Sequence, residues 1–312
     1  MKLKLFLIAV FAIISFNASA QKKMSKQESD ASKIIQLGNS VIDLGNLYSQ
    51  ALNDYQNMLN GVHSNIERVS KNPNLTPYAV RCNIISVQPS QQAAYNTALK
   101  VAPVFEEKAG IEKYVAEGES DIKNISKWCS SLSTYVSGKE YQNDTDFSKY
   151  KEINDSLTSY IEKASLSWRT ASGLASDAGN KAELILLEGS PIASFVIPMK
   201  KDLISLNAIF NMFKSEKPDT GAIKSALDSL TESINKNKDV STKDTSKLRD
   251  IYYKEVYETF YRSCLSSVKS LNTVIDRLQE AQPDSDNINS WFGSASTDYR
   301  KTVEEYNTFV SQ

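Results

Sequence analysis

Apolar residues recur at alternating steps of three and four along the first part of the chain, most clearly over residues 32–70. With one slip at Asn65, they fall at Ile34, Leu37, Val41, Leu44, Tyr48, Ala51, Tyr55, Met58, Val62, Ile66 and Val69. This spacing is a heptad seam, which lies along one side of an α-helix. Such a helix is about 57 Å long at about 1.5 Å per residue, so we expect other segments to lie along it.

Similar apolar stripes predict further helices over residues 91–137, 146–187, 192–213, 223–234, 246–282 and 287–310. Pro103 and Gly110 are expected to interrupt the second region, Gly138 to end it, and Pro198 to kink the fourth helix or delay its start. No segment alternates with a period of two, so no sheet is expected. The predicted fold is all-α, an elongated antiparallel bundle of long helices.

Composition divides the chain into four predicted segments. Residues 1–20 are a signal peptide, and residues 21–213 form an N-terminal helical bundle that begins with a frayed polar leader over residues 21–30. Residues 214–247 are a charged linker with one short helix, and residues 248–312 are C-terminal helices that pack on the bundle. Residues 71–90 are an irregular connection, and their apolar patch from Val80 to Val87 is expected to be a loop over one end of the bundle.

The N-terminus has the pattern of a secretory signal. Lys2 and Lys4 precede an apolar run from Leu5 to Phe16, and Ala18-Ser19-Ala20 provides a small-x-small cleavage site. The run is shorter than the roughly twenty residues of a membrane span, and no later stretch is long and apolar enough to be one. We therefore expect a periplasmic protein of a Gram-negative cell, or one released outside it, with no transmembrane segment after cleavage. Residue 21 is Gln rather than Cys, which argues against a lipid anchor.

Composition and charge exclude some classes of function. The chain has 312 residues, of which 41% are hydrophobic, so it can bury a large core. The net charge is −1, and removal of Lys2 and Lys4 with the signal would make it −3. A chain this close to neutrality has no electrostatic bias towards nucleic acid, and we expect no nucleic-acid partner.

Candidate catalytic and metal-binding residues are few. His63 is the single histidine, with Glu67 one helical turn later, but a metal site needs further ligands that no neighbouring residue supplies. The acidic group Asp284, Asp286 and Asn287 lacks the glycine and terminal glutamate of a calcium loop and is interpreted as a helix cap. No serine lies in a nucleophile elbow. The sequence therefore predicts no catalytic, cofactor-binding or metal-binding residues, no cofactor and no enzymatic activity.

Three cysteines leave the disulfide pattern open. Cys129 and Cys264 both fall on predicted core faces of different helices, and Cys82 lies in the irregular connection. Export permits a bridge between Cys129 and Cys264 or one that involves Cys82. All three can also remain reduced and fill the core as small apolar side chains, which is the preferred interpretation.

Four tyrosines cluster at Tyr252, Tyr253, Tyr257 and Tyr261. Helical spacing places Tyr253 and Tyr257 on the core face and Tyr252 and Tyr261 off it or at its edge. Exported proteins often use such aromatic clusters to stack on sugars, which is the alternative interpretation. We favour a core-and-rim arrangement, since an aromatic body with a polar tip suits that position.

Part of the chain resembles the YiiG-like envelope proteins, a bacterial domain of unknown function. The resemblance covers residues 94–228 and depends on Tyr95-Asn96 and on the hairpin Tyr141-Gln142-Asn143-Asp144-Thr145-Asp146-Phe147-Ser148-Lys149. Members of that family are commonly lipoproteins, and this chain departs from them at Ala20-Gln21. The resemblance implies an envelope protein and no particular activity.

These observations predict an exported helical protein that is not an enzyme and that binds an unidentified protein or envelope partner or contributes to envelope structure. The alternative is a periplasmic carbohydrate- or lipid-binding protein with its ligand held between helices. A concave site above about 300 Å³ lined by Tyr or Trp would favour that alternative. Heptad seams also permit self-association, which light scattering would detect.

Overall fold

A computed structural model describes residues 24–72, 74–82, 88–213, 215, 217–282 and 284–312. These residues contain no strand, and their α-helices are α1 (Lys26–Lys71), α2 (Pro89–Val101), α3 (Lys108–Ser137), α4 (Ser148–Glu188), α5 (Ala193–Met212), α6 (Thr220–Asn237), α7 (Tyr252–Leu278) and α8 (Ser285–Val310). The all-α prediction is confirmed. The predicted signal peptide, residues 1–20, lies outside the described residues, as do residues 83–87 of the predicted loop.

The helices form two compact units, and the division falls inside α4. The N-terminal unit contains residues 29–182, and the C-terminal unit contains residues 183–312 together with 24–28 of the described chain. The sequence predicts a bundle over residues 21–213 and a linker over 214–247, so the structure places the division earlier. The charged composition of 214–247 predicts a boundary there, whereas the compact units divide within the unbroken helix α4.

Helix α1 begins earlier than the apolar pattern indicates. Residues 21–30 were expected to be a frayed leader, but α1 starts at Lys26. The Glu28 backbone N–H donates to Ser25 Oγ at 3.2 Å, and the Ser25 backbone N–H donates to Glu28 Oε2 at 2.7 Å. These reciprocal hydrogen bonds form a capping box, which fixes the first turn of the helix.

Helix α3 ends at Gly138 as predicted, but this glycine does not adopt the left-handed conformation that is common at helix C-termini. Gly138 caps α3 with a right-handed φ of −76°, and the left-handed residue is the next one, Lys139, with φ 54°. Pro103 lies in the break between α2 and α3, as predicted, whereas Gly110 lies inside α3. Likewise α4 continues through Gly173 without a break.

The core of the N-terminal unit is built around Trp168 of α4. The Trp168 ring is fully buried and stacks on Tyr48 of α1 with centroids 4.3 Å apart. Gly118 of α3 faces the same indole so closely that an added Cβ would lie 2.7 Å from Nε1. Farther along the unit, the rings of Tyr135 in α3 and Tyr150 in α4 stack with centroids 6.0 Å apart. These pairs show that α3 and α4 run antiparallel.

Two glycine substitutions are therefore expected to have opposite effects. Gly118→Ala forces a methyl group against a buried indole and should destabilise the N-terminal unit by about 1–3 kcal/mol. Gly173→Ala meets no atom within 4 Å and should stabilise α4 by up to about 1 kcal/mol, since alanine is the better helix former. Urea denaturation of the two variants measures both effects. Equal shifts of the same sign would contradict the close approach at Gly118.

In the C-terminal unit, α5, α6, α7 and α8 enclose one continuous apolar core. The ring of Phe195 in α5 meets that of Tyr257 in α7 edge to face with centroids 5.4 Å apart, and Phe210 approaches Tyr299 of α8 at 5.1 Å. The predicted short helix is present as α6, and its residues Ile223, Leu227, Leu230 and Ile234 are all buried. Within residues 214–247, α6 is thus part of this core, because four apolar residues at helical spacing suffice to bury one face.

The remaining helix boundaries follow from local chemistry. Helix α5 begins at Ala193, before Pro198, so the proline does not delay the start of the helix. Helix α7 begins at Tyr252 rather than near Ser246, because short 3₁₀ turns occupy Val240–Thr242 and Thr245–Lys247. Asp239 and Asp244 cap these turns by accepting the backbone N–H groups of Ser241 and Ser246.

Candidate functional site

The sole histidine does not form a metal site with Glu67. His63 Nδ1 lies 3.3 Å from the hydroxyl of Tyr150, whereas Glu67 pairs with Lys71 of the same helix. That contact with Lys71 lowers the pKa of Glu67. Among the described residues, no group of three or more His, Cys, Asp or Glu side chains is placed to hold a metal ion.

The acidic group before α8 is a helix cap, as interpreted from the sequence. Asp284 Oδ1 accepts the backbone N–H groups of Asp286 at 2.9 Å and Asn287 at 3.3 Å. An N-cap carboxylate satisfies helix N–H groups that have no partner within the helix.

The burial of the four tyrosines of α7 agrees with the prediction except at Tyr261. Tyr253 and Tyr257 are buried as predicted, and Tyr252 is 53% exposed. Tyr261, which was expected off the core face or at its edge, is only 1% exposed. It lies one turn beyond Tyr257, and the two rings meet edge to face at 5.0 Å. Because its neighbours bury this ring, it is not available for stacking on a ligand.

The charged residues that the described chain buries all lie in the C-terminal unit and were not singled out from the sequence. They are Glu183 at the end of α4 and Lys200 and Asp202 of α5. Charged side chains are seldom fully buried unless they are paired. These three residues are therefore the strongest candidates for a functional site.

Glu183 and Lys200 form a buried ion pair with a tyrosine as the third member. Lys200 Nζ lies 2.7 Å from Glu183 Oε2, and the two side chains are 2% and 1% exposed. The Tyr306 hydroxyl of α8 donates to Glu183 Oε1 at 2.6 Å, and Lys200 Nζ lies 5.4 Å from the centre of the Tyr306 ring. Burial and the adjacent Glu183 carboxylate raise the pKa of Tyr306, so the phenol stays protonated and remains a donor.

Asp202 is the centre of a second polar network between α5, α6 and α7. It accepts hydrogen bonds from the Ser233 hydroxyl and, at 3.0 Å, from Asn237 Nδ2. The Asn237 carbonyl in turn accepts from the Tyr257 hydroxyl at 2.6 Å. Burial raises the pKa of Asp202 above its ordinary value, and the hydrogen bonds from Ser233 and Asn237 oppose part of that shift.

Asp202 should therefore make stability depend on pH in a defined direction. A carboxyl whose pKa is raised by folding binds its proton more tightly in the folded state, so its contribution to stability falls as pH rises above the unfolded value of about 3.8. Asp202→Asn removes this titration. The free energy of unfolding of the wild type, minus that of the variant, is expected to be larger at pH 4 than at pH 7. Urea denaturation at both pH values measures the difference, and the reverse order would contradict a raised pKa.

In the folded state these networks are closed to solutes. The amine of Lys200 and the carboxylates of Glu183 and Asp202 are potential acid, base or nucleophilic groups, but each is buried and engaged with neighbouring side chains. Their contacts join α5 to α4, α6 and α8. This arrangement therefore serves to position the helices.

The sequence contained one signal for these residues. Lys200, Lys201 and Asp202 interrupt a helix whose other positions are mainly apolar, and only Lys201 of the three is exposed. A helix that is apolar on most sides is expected to be buried, so charged residues within it need partners. The partner Glu183 lies in the preceding helix, and Tyr306 lies 123 positions beyond it.

One disulfide is present, and the preferred interpretation of three reduced cysteines is wrong. Cys82 is bonded to Cys129 of α3, with Cα atoms 5.6 Å apart. Cys264 of α7 is a free, buried thiol whose pKa is raised by burial. The sequence placed Cys129 on a core face but could not show that the connection after α1 reaches it.

Comparisons with known proteins assign no family to this chain. The chain matches no family model and no curated protein. A crystal structure of an alpha helical protein from Bacteroides fragilis NCTC 9343 is similar with a TM-score of 0.48 and 15% sequence identity. The similarity covers 88% of this chain and 99% of that chain. Across the described residues, no helix has both the length and the hydropathy to cross a membrane.

Proposed function

We propose that this protein is exported to the periplasm and acts there as a non-enzymatic helical protein that binds a protein partner or contributes to envelope structure. The observation that carries the proposal is the disulfide between Cys82 and Cys129. Structural disulfides persist in oxidising compartments and are rare in the cytosol. The signal-like pattern of residues 1–20 agrees with such a location.

The buried charges support a non-enzymatic role. Glu183, Lys200 and Asp202 have the chemistry of catalytic groups, but they contact one another or neighbouring side chains inside the C-terminal unit. An enzyme would need at least one such group within hydrogen-bonding reach of a substrate. The long buried seam of α1 instead suits a scaffold on which other helices pack.

Export is tested by expressing the full chain, with its own N-terminus, in a Gram-negative host. The protein is expected in the periplasmic fraction with Gln21 as its first residue, and one thiol should react with an alkylating reagent under denaturing conditions. A matched chain that lacks residues 2–20 should stay in the cytosol and label at all three cysteines. Cytosolic protein that retains residues 1–20 would refute the proposed location.

The non-enzymatic role is tested separately on the purified periplasmic form. Screens with hydrolase and transferase substrates are expected to show no turnover. Chemical cross-linking in intact cells, followed by mass spectrometry, should identify an envelope protein as the partner. The same cross-link should form when the two purified proteins are mixed. Reproducible turnover that copurifies with the protein would overturn this part of the proposal and leave the location intact.

A further inference from the structure

Residues 78–82, which we call the strap, run back along α1 in the direction opposite to the helix. The Tyr78 backbone N–H donates to Asn65 Oδ1 at 3.0 Å. The Arg81 backbone N–H meets Met58 Sδ at 3.2 Å, and the Cys82 carbonyl accepts from the Tyr55 hydroxyl at 2.7 Å. As the strap proceeds, its partners thus move from Asn65 towards the start of α1.

The strap covers buried residues but is itself poorly buried. Tyr78 is 45% exposed although its ring lies over Gly61, where an added Cβ would approach ring carbons within 2.4–2.9 Å. Arg81 is exposed, whereas Tyr55 and Met58 beneath the strap are buried. The noncovalent attachment consists mainly of the Tyr78 ring over Gly61 and three hydrogen bonds, of which the one at Tyr78 is exposed and those at Arg81 and Cys82 are partly buried. Each such hydrogen bond contributes only a small net free energy, because water competes for the same groups when the strap is released.

The covalent attachment is at the end of the strap. Cys82 is half-buried and bonded to Cys129, which is fully buried on α3. Leu59, Val62 and Ile66 of α1 and Ile125 and Leu132 of α3 are also buried. We therefore expect each helix to keep a packed face when the strap is released. The bond between Cys82 and Cys129 is thus the main restraint on the strap.

We propose that residues 78–82 are a redox-latched strap: reduction of the Cys82–Cys129 bond releases them from α1 and uncovers Tyr55 and Met58 while the helices remain folded. The reductant is a dithiol. One of its thiolates attacks Sγ of Cys82, the more accessible sulfur, to form a mixed disulfide, and Cys129 leaves as a thiolate that takes up a proton. The second thiol of the reductant then closes its own disulfide and releases Cys82 as a thiol. Two electrons and two protons pass from the dithiol to the protein.

The remaining cysteine does not compete in this exchange. Cys264 is fully buried, and burial raises its pKa, so it remains a protonated and unreactive thiol in the folded chain. No second bridge is therefore expected to form when Cys82 and Cys129 are freed. Oxidation should restore the original pair.

The test compares the purified, oxidised chain with and without dithiothreitol at 25 °C. Reduction is expected to speed tryptic cleavage after Arg81 at least tenfold and to speed hydrogen exchange of the amides of Tyr78 and Arg81. Cleavage after the exposed Arg169 in α4 serves as the internal reference and should stay slow, and the far-UV circular dichroism should not change. Cys264→Ala is the matched control and should respond to dithiothreitol as the wild type does.

Two results would contradict the proposal that the disulfide holds the strap in place. Unchanged cleavage after Arg81 in fully reduced protein would show that hydrogen bonds alone hold the strap. Loss of helical circular dichroism on reduction would show that the bridge maintains the whole unit rather than one segment. Cys82→Ala provides a check without reagent, since this variant should be cleaved as rapidly as the reduced wild type and should be insensitive to dithiothreitol.

Discussion

Replacing Lys200 with methionine is expected to lower the free energy of unfolding of the C-terminal unit by about 3–5 kcal/mol. The substitution keeps most of the side-chain volume but removes the ammonium group that lies 2.7 Å from Glu183 Oε2. The Glu183 carboxylate then stays buried with the Tyr306 hydroxyl as its donor, and a buried charge without its counter-charge is strongly unfavourable. Thermal and urea denaturation followed by circular dichroism measure the loss.

Two further variants separate the ion pair from the packing around it. Lys201→Met changes the adjacent, exposed lysine and is expected to alter stability by no more than about 0.5 kcal/mol. The triple variant Glu183→Leu, Lys200→Met and Tyr306→Phe removes all members of the polar group together. It is expected to be close to the wild type or more stable, because well-packed apolar residues often replace a buried pair without loss. A single Lys200→Met variant that loses less than about 1 kcal/mol would show that the pair is not desolvated as the structure indicates.

The helices of this fold could be predicted because their seams are local. Leu37, Val41, Leu44 and Tyr48 follow one another at steps of three and four, and the structure buries each of them. The helix geometry alone places such residues on one side, so no knowledge of distant contacts is needed. The same reasoning identified α6 from Ile223, Leu227, Leu230 and Ile234.

Composition is a weaker guide than such local signals. The Ser25-Lys26-Gln27-Glu28 sequence is a capping-box pattern, and it would have placed the start of α1 correctly. Within the predicted linker, Lys224, Asp228 and Glu232 of α6 are exposed, whereas Ile223 and Leu227 are buried. Charge on one face of a helix is compatible with burial of the other.

The contacts within the candidate site could not be predicted in the same way. The hydrogen bond between Glu183 and Tyr306 spans 123 positions, and nothing in either local pattern identifies the partner. The pairing of Cys82 with Cys129 depends on where an irregular connection meets a helix. Three cysteines allow three single bridges, and sequence alone does not choose between them. Tertiary packing determines which of these distant residues come into contact.

Reduction of the Cys82–Cys129 bond is expected to lower the free energy of unfolding of the N-terminal unit by about 4 kcal/mol. The bridge joins residues 47 positions apart, and closing a loop of that length in the unfolded chain removes conformational entropy of this order in the chain-entropy model. This effect acts through the unfolded state and so differs from the local release of residues 78–82. The helices can therefore remain folded at 25 °C while their resistance to urea falls.

The measurement uses the Trp291→Phe variant, in which Trp128 and Trp168 report on the N-terminal unit. Urea denaturation followed by tryptophan fluorescence, with and without dithiothreitol, should show a lower midpoint in the reduced protein. When Cys82→Ala and Cys129→Ala are added to the Trp291→Phe variant, its urea midpoint should equal that of the reduced protein, both with and without dithiothreitol. If reduction changes the midpoint by less than the equivalent of about 1 kcal/mol, the loop is already restrained in the unfolded chain, and the entropic account of this bridge fails.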